Sequence, residues 1–220
     1  RQHLTPRQNI SFWLTFFTPI FAVLFTIVLG IIIFTVLGYN PYDAIYNFFI
    51  SPVSKPYKIS ALAVKACPLI IIASGLVFCY RANIWNIGAE GQIIFGGLFA
   101  GWLALEFLDS NSVFLFPSMV LISMLGGLFW AMIPALLKTK FNTNEILTSL
   151  MLVYVALLIL DYLVVGPWKD PLGYSFPKTR QFSESGRMPL LFSGLRVHFG
   201  LIITLILIFF SWFIFSKTIF

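Results

Sequence analysis

The sequence predicts an all-α fold, a polytopic bundle of about six transmembrane helices with a broken or re-entrant region near residues 81–92. Three observations carry that expectation. Hydrophobic residues make up 59% of the chain and charged residues 10%, against about 25% charged in soluble domains. The charges collect at the ends of long apolar runs, and a helix needs ~20 apolar residues to cross a bilayer. Between the second and third runs stands RANIWNIGAEGQIIFGG, residues 81–97, which crowds polar side chains and glycines into a chain otherwise short of both. Irregular polar backbone of this kind must be buried in protein, line a water-filled cavity or lie outside the bilayer. The net charge of +6 would raise nucleic acid as a partner in a soluble protein. Here the basic residues flank spans, where they set topology and meet anionic membrane lipid, so no nucleic-acid partner is expected.

The elements follow in order. Residues 1–10 are polar and basic. Residues 11–38 hold no charged side chain and form the first span, with Pro19 inside it as a kink that bundle neighbours can tolerate. This run is about a full span and lacks a small-residue cleavage site, so no signal peptide is expected. Asn40 and Pro41 signal a turn. Tyr42, Ile45, Tyr46, Phe48 and Phe49 predict a short amphipathic piece at the membrane interface. Residues 60–65 start a helix that continues through 66–80, an apolar run of 15 residues that is short for a span. A short hydrophobic segment beside a polar cluster points to a substrate pathway.

Residues 93–108 form the third span, 110–112 a tight turn and 113–137 the fourth span. KTKFNTNEI, residues 138–146, is a second polar interruption. Residues 146–165 form the fifth span, which contains Asp161. Residues 166–198 are a polar loop rich in Pro, Gly and Ser, and 199–215 the sixth span. With six spans both ends lie on one side. Charge density, though not the raw count, favours placing the N-terminus in the cytoplasm and the 166–198 loop outside. The sequence stops soon after the sixth span, and SKTIF is neither a cap nor a tail. Residues 1–220 are therefore expected to be one transmembrane domain that is truncated.

Candidate residues concentrate in the first polar interruption. Glu90 has two readings: a pathway group accepting hydrogen bonds from a sugar hydroxyl or a base N–H, or a carboxylate that caps a helix start or pairs with Arg81. Trp85, Asn86 and Gln92 share its neighbourhood as candidate pathway residues. Trp85 and Trp102 have the chemistry to stack on a ring, and tryptophan is equally common at interfaces. Gly88, Gly91, Gly96 and Gly97 are expected to permit close helix packing. In the second interruption, Asn144 and Glu145 are candidate pathway residues. A helix start explains them as well, with Asn142 or Thr143 as N-cap and Glu145 near the positive helix end. Asp161 reads as structural, with Lys169 or Arg180 as partner. Cys67 and Cys79 are twelve residues apart, about 18 Å along a helix, so they cannot pair and form no metal site. His198 stands alone. Neither a metal cluster, a nucleophile with a base nor a pair of aligned carboxylates appears, so no catalytic residue, metal or cofactor is expected.

Three stretches carry a family resemblance. NIGAEGQIIFGG (residues 86–97), FNTNEILTSLMLVYVALLILDYLV (141–164) and GPWKDPLGYSFPKT (166–179) resemble, in order, the inner-membrane permeases of ABC importers for nucleosides and simple sugars. That group lies within the wider branched-chain amino acid and ribose permease family. The resemblance implies a multi-pass bacterial inner-membrane subunit that is not itself an enzyme. It implies separate ATP-binding-cassette ATPase subunits, a second permease subunit in a homo- or heterodimer, and an extracytoplasmic substrate-binding protein as partners. Relatives are longer, with a second half and a cytoplasmic helix that docks on the ATPase. The sequence independently lacks the G-x-x-x-x-G-K-[ST] phosphate loop. The alternative is a secondary transporter driven by an ion gradient, with Glu90 or Asp161 carrying protons.

Overall fold

A computed structural model describes residues 12–217 apart from Ser175 and Ser193. The polar segment 1–10, the first residue of the expected first span and the chain end at 218–220 lie outside the described residues. The described residues are helical, without a strand; two isolated antiparallel bridges, Lys169 with Thr179 and Leu190 with His198, are the exceptions to helix and loop.

The chain forms two units, divided after Leu62. In the first, α1 (Phe12–Val36) is the expected apolar span with Pro19 inside. Gly38 ends it at φ 78°, a left-handed conformation that costs glycine nothing, and the Tyr39 N–H reaches back to the Phe34 carbonyl at 2.9 Å. The Asn40–Pro41 signal becomes a helix start. The Asn40 side chain accepts from the Tyr42 N–H, Pro41 occupies the first turn, and α2 (Pro41–Ile45) follows. It continues as a π turn over Tyr46–Ile50. Tyr42, Phe48 and Phe49 are exposed along it, as an interfacial piece requires.

The second unit holds most of α3 (Pro56–Arg81) and all of α4 (Ala89–Glu106), α5 (Leu115–Phe141), α6 (Glu145–Val165) and α7 (Gly200–Lys217). The second span is not short: α3 starts at Pro56, ahead of the expected start at Ser60, and reaches 26 residues, about 39 Å at 1.5 Å per residue. The apolar run alone understated it because Lys58 and Lys65 interrupt the hydropathy without interrupting the helix. Five helical segments are long and apolar enough to cross a membrane, in α1, α3, α5, α6 and α7. The expected third span, α4, is not among them, since Glu90, Gln92, Glu106 and its glycines dilute an 18-residue helix.

That composition has a packing reason. α4 lies against both α5 and α6 and buries Gly91, Phe95, Gly96, Leu98, Gly101 and Ala104. Small residues let helix backbones approach where lipid supplies no hydrophobic drive. Phe95 stacks on Trp130 of α5 with centroids 3.6 Å apart, and Leu98 and Ala156 complete the core. The outer faces of α5, α6 and α7 carry exposed leucines, isoleucines and phenylalanines, as helices facing lipid do.

The ends of these helices sort into two sides. At one, the Ile87 N–H ahead of α4 reaches Ser149 Oγ at the start of α6, and Phe78 near the end of α3 meets Phe215 near the end of α7 at 4.5 Å. At the other, the Ser185 hydroxyl donates to the Ser110 carbonyl between α4 and α5 at 2.5 Å. The 166–198 loop, expected to be polar and rich in Pro, Gly and Ser, is folded onto that end. Phe182 packs against Ala104, Leu115 and Met119, and Trp168 packs against the Phe95 core.

Candidate functional site

The break falls at residues 82–88, between two whole helices. α3 stops because Asn83 takes the left-handed conformation, φ 55°, which asparagine tolerates better than most residues. The Ile84 N–H then bonds the Cys79 carbonyl at 2.9 Å, satisfying an orphan carbonyl of the last turn. Asn86 restarts the chain: its Oδ1 accepts the Gly88 N–H at 3.0 Å. Gly88 fits beneath α6, where a Cβ would lie 2.9 Å from Ser149 Cβ.

An open groove of about 890 Å³ lies beside this break. One wall is α3, with Ile72, Leu76 and Cys79; the floor is α4, with Ala89, Ile93, Gly96 and Gly97; the far wall is α5, with Ser123 and Leu128. Its polar side chains are Asn86, Gln92 and Ser123. Asn86 and Gln92 form a reciprocal carboxamide pair, each NH₂ donating to the other's oxygen at 3.4 Å. Gln92 enters this geometry because α4 begins at Ala89, four residues earlier than the expected start at Ile93.

The expected site residues separate. Asn86 and Gln92 line the groove. Trp85 and Glu90 are exposed outside its lining. Glu90 sits in the first turn of α4, where its charge suits the positive helix end, and it has no ion-pair partner among the described residues. Arg81 instead lies over the Phe215 ring, 5.0 Å from its centroid. Asn144 is the N-cap of α6, accepting from the Ile146 and Leu147 N–H groups; of the two expected caps, Asn142 ends α5 in the left-handed conformation and Thr143 lies between the helices. Glu145 pairs with Lys138 at 2.9 Å, a cation at the negative end of α5 meeting an anion at the positive end of α6.

Two expectations about charge and packing are corrected. Asp161 is exposed and forms no ion pair among the described residues; Lys178 pairs with Asp170 instead, at 3.8 Å. Gly91 and Gly96 are packing glycines, with a Cβ at Gly91 falling 2.9 Å from Trp130 Nε1 and one at Gly96 falling 3.0 Å from the Ser123 carbonyl. Gly97 is not: nothing lies within 4 Å of its Cβ position, because it faces the groove.

Sequence reasoning missed Ser123, Ser149, Gly126 and Trp130. A lone serine in an apolar run and the Gly126–Gly127 pair were available signals. The Trp130 indole N–H is buried without a partner, which nothing in the sequence announces. The Lys138–Glu145 pair is partly exposed, at 44% and 22%, so Lys138→Met and Glu145→Gln are expected to couple only weakly. A double-mutant cycle in thermal unfolding measures it, and salt should weaken it.

The described residues form a helical membrane bundle with a polar break opening on a groove. Residues 58–220 match the family described as the permease component of the branched-chain amino acid transport system, and the chain belongs to that family. It is 33% identical to a glucose ABC transporter permease of Haloferax volcanii over 98% of this chain and 59% of the relative. It is 28% identical to a nucleoside ABC transporter permease of Lactococcus lactis over 91% of this chain and 57% of the relative. A guanosine ABC transporter permease of Bacillus subtilis is also 28% identical, over 91% and 58%. The chain thus spans under three-fifths of the length of these curated relatives. No solved structure matches it.

Proposed function

We propose that the chain is part of the permease subunit of an ATP-binding-cassette importer that moves nucleosides or simple sugars across a bacterial inner membrane. The groove beside the 82–88 break is its solute path. The observation that carries this reading is the coincidence of the irregular backbone, the Asn86–Gln92 pair and the groove in one place, since non-helical backbone at membrane depth is tolerated where it lines a cavity. The names of the relatives supply the substrate classes. The partners that follow are separate ATPase subunits, a second permease subunit, an external substrate-binding protein and membrane lipid.

Uptake by the complete transporter distinguishes this from a secondary transporter. Uptake that requires the partner ATPase and survives an uncoupler is the expected result. Uptake that collapses with the ion gradient and ignores the ATPase would favour the alternative.

The side carrying Arg81, Lys138, Lys140 and Lys217 is cytoplasmic in this reading, because short basic segments stay inside. The folded 166–198 loop is external and receives the binding protein. Cysteine placed at Tyr174, which is 93% exposed, should react with an impermeant thiol reagent in intact cells, and cysteine at Thr139 should not. The reverse pattern would contradict the orientation.

A further inference from the structure

We infer that Asn86 and Gln92 determine specificity, selecting a flat heterocycle that carries a hydrogen-bond donor and acceptor side by side, as an oxopurine nucleoside does, over a hexose. The inference rests on the groove being the solute path.

Its chemistry is that of the carboxamide pair. Both N···O separations are 3.4 Å, long against the usual value of about 2.9–3.0 Å, so a ligand edge able to replace both bonds displaces little. The two side chains are not equivalent. Asn86 Oδ1 is held by the Gly88 N–H at 3.0 Å, which fixes that carboxamide and leaves its NH₂ as the group available to a ligand. Gln92 projects from α4 with both a donor and an acceptor to exchange. One carboxamide meets a base edge bidentately when the edge places a donor next to an acceptor, and a lactam N–H beside its carbonyl is such an edge.

The remaining walls decide between the two substrate classes. Ile72, Leu76, Ile93 and Leu128 are apolar, and Ser123 adds one hydroxyl. A planar base sets its faces on such walls and turns one polar edge to Gln92. A hexose carries hydroxyls around its whole ring, and those against the apolar walls would be left without partners, which is penalised.

The test compares inosine, which has the lactam edge, with purine riboside, which lacks it, in the complete transporter with its ATPase and one binding protein throughout. The readout is the ratio of the two uptake rates, wild type against Gln92→Met. The ratio is expected to fall at least about tenfold. Gln92→Glu keeps the volume and an acceptor but loses the donor, and should lower the same ratio if the Met variant fails to reach the membrane. An unchanged ratio in a variant that still transports, or a wild type that carries glucose and neither nucleoside, would overturn the inference and leave the permease reading standing. A complete transporter that carries none of the three would overturn the permease reading itself.

Discussion

Replacing Gly126 with valine is expected to keep α4 and α5 from closing. A Cβ at Gly126 would lie 2.7 Å from Phe99 Cγ and 2.8 Å from the Phe95 carbonyl. The second neighbour is backbone, so no side-chain rotation relieves the contact, and the helices must separate. Separation breaks the Phe95–Trp130 stack, which holds the core. Overpacking of this kind costs about 1–3 kcal/mol, and the lost aromatic pair adds about 0.5–1.5 kcal/mol. Thermal unfolding of the detergent-purified protein reads the loss. Gly97→Ala is the control on α4 away from that seam: nothing lies within 4 Å of its Cβ position, and alanine favours the helix over glycine by up to ~1 kcal/mol. A Gly126→Val protein as stable as wild type would show that the α4–α5 approach is not as described.

A second large effect is expected where the break meets α6. Gly88→Val would drive a side chain into Ser149, whose Cβ stands 2.9 Å and whose carbonyl stands 3.1 Å from the added atom. The break would then lift off the buried Ser149 of α6, with loss of transport and of assembled protein. Ser149→Ala isolates the hydrogen bond: it removes the acceptor of the Ile87 N–H at 3.3 Å without adding volume. Its expected cost is about 1 kcal/mol, with faster hydrogen exchange at the Ile87 amide. Unchanged exchange there would mean that Ser149 does not hold the break.

The reading of these positions shows where sequence reasoning reached. Composition and run length predicted the helical membrane bundle, because a ~20-residue apolar run has few other uses. The break was placed within a few residues, because two apolar runs joined by a polar, glycine-rich stretch are together too long for one span. What polar side chains do inside such a stretch was less legible. Asn83 and Asn142 end helices, Asn144 starts one and Glu145 pairs across a turn, yet each resembles Asn86 and Gln92 in type. The difference is the register of α4: a helix beginning at Ala89 rather than Ile93 brings Gln92 back to Asn86. Likewise Gly97 and Gly96 are neighbours in sequence, but adjacent positions on a helix point about 100° apart, so one packs and the other faces the groove.

Cys79 offers the most direct measurement of the solute path. It lines the groove, whereas Cys67 is buried with its thiol on the Ala63 carbonyl. In the complete transporter with Cys67 replaced by serine, a small thiol reagent should modify Cys79, and transported substrate should slow that modification in proportion to its occupancy. Modification of Cys79 at the same rate with saturating substrate, in a transporter that still imports it, would contradict the groove as the path.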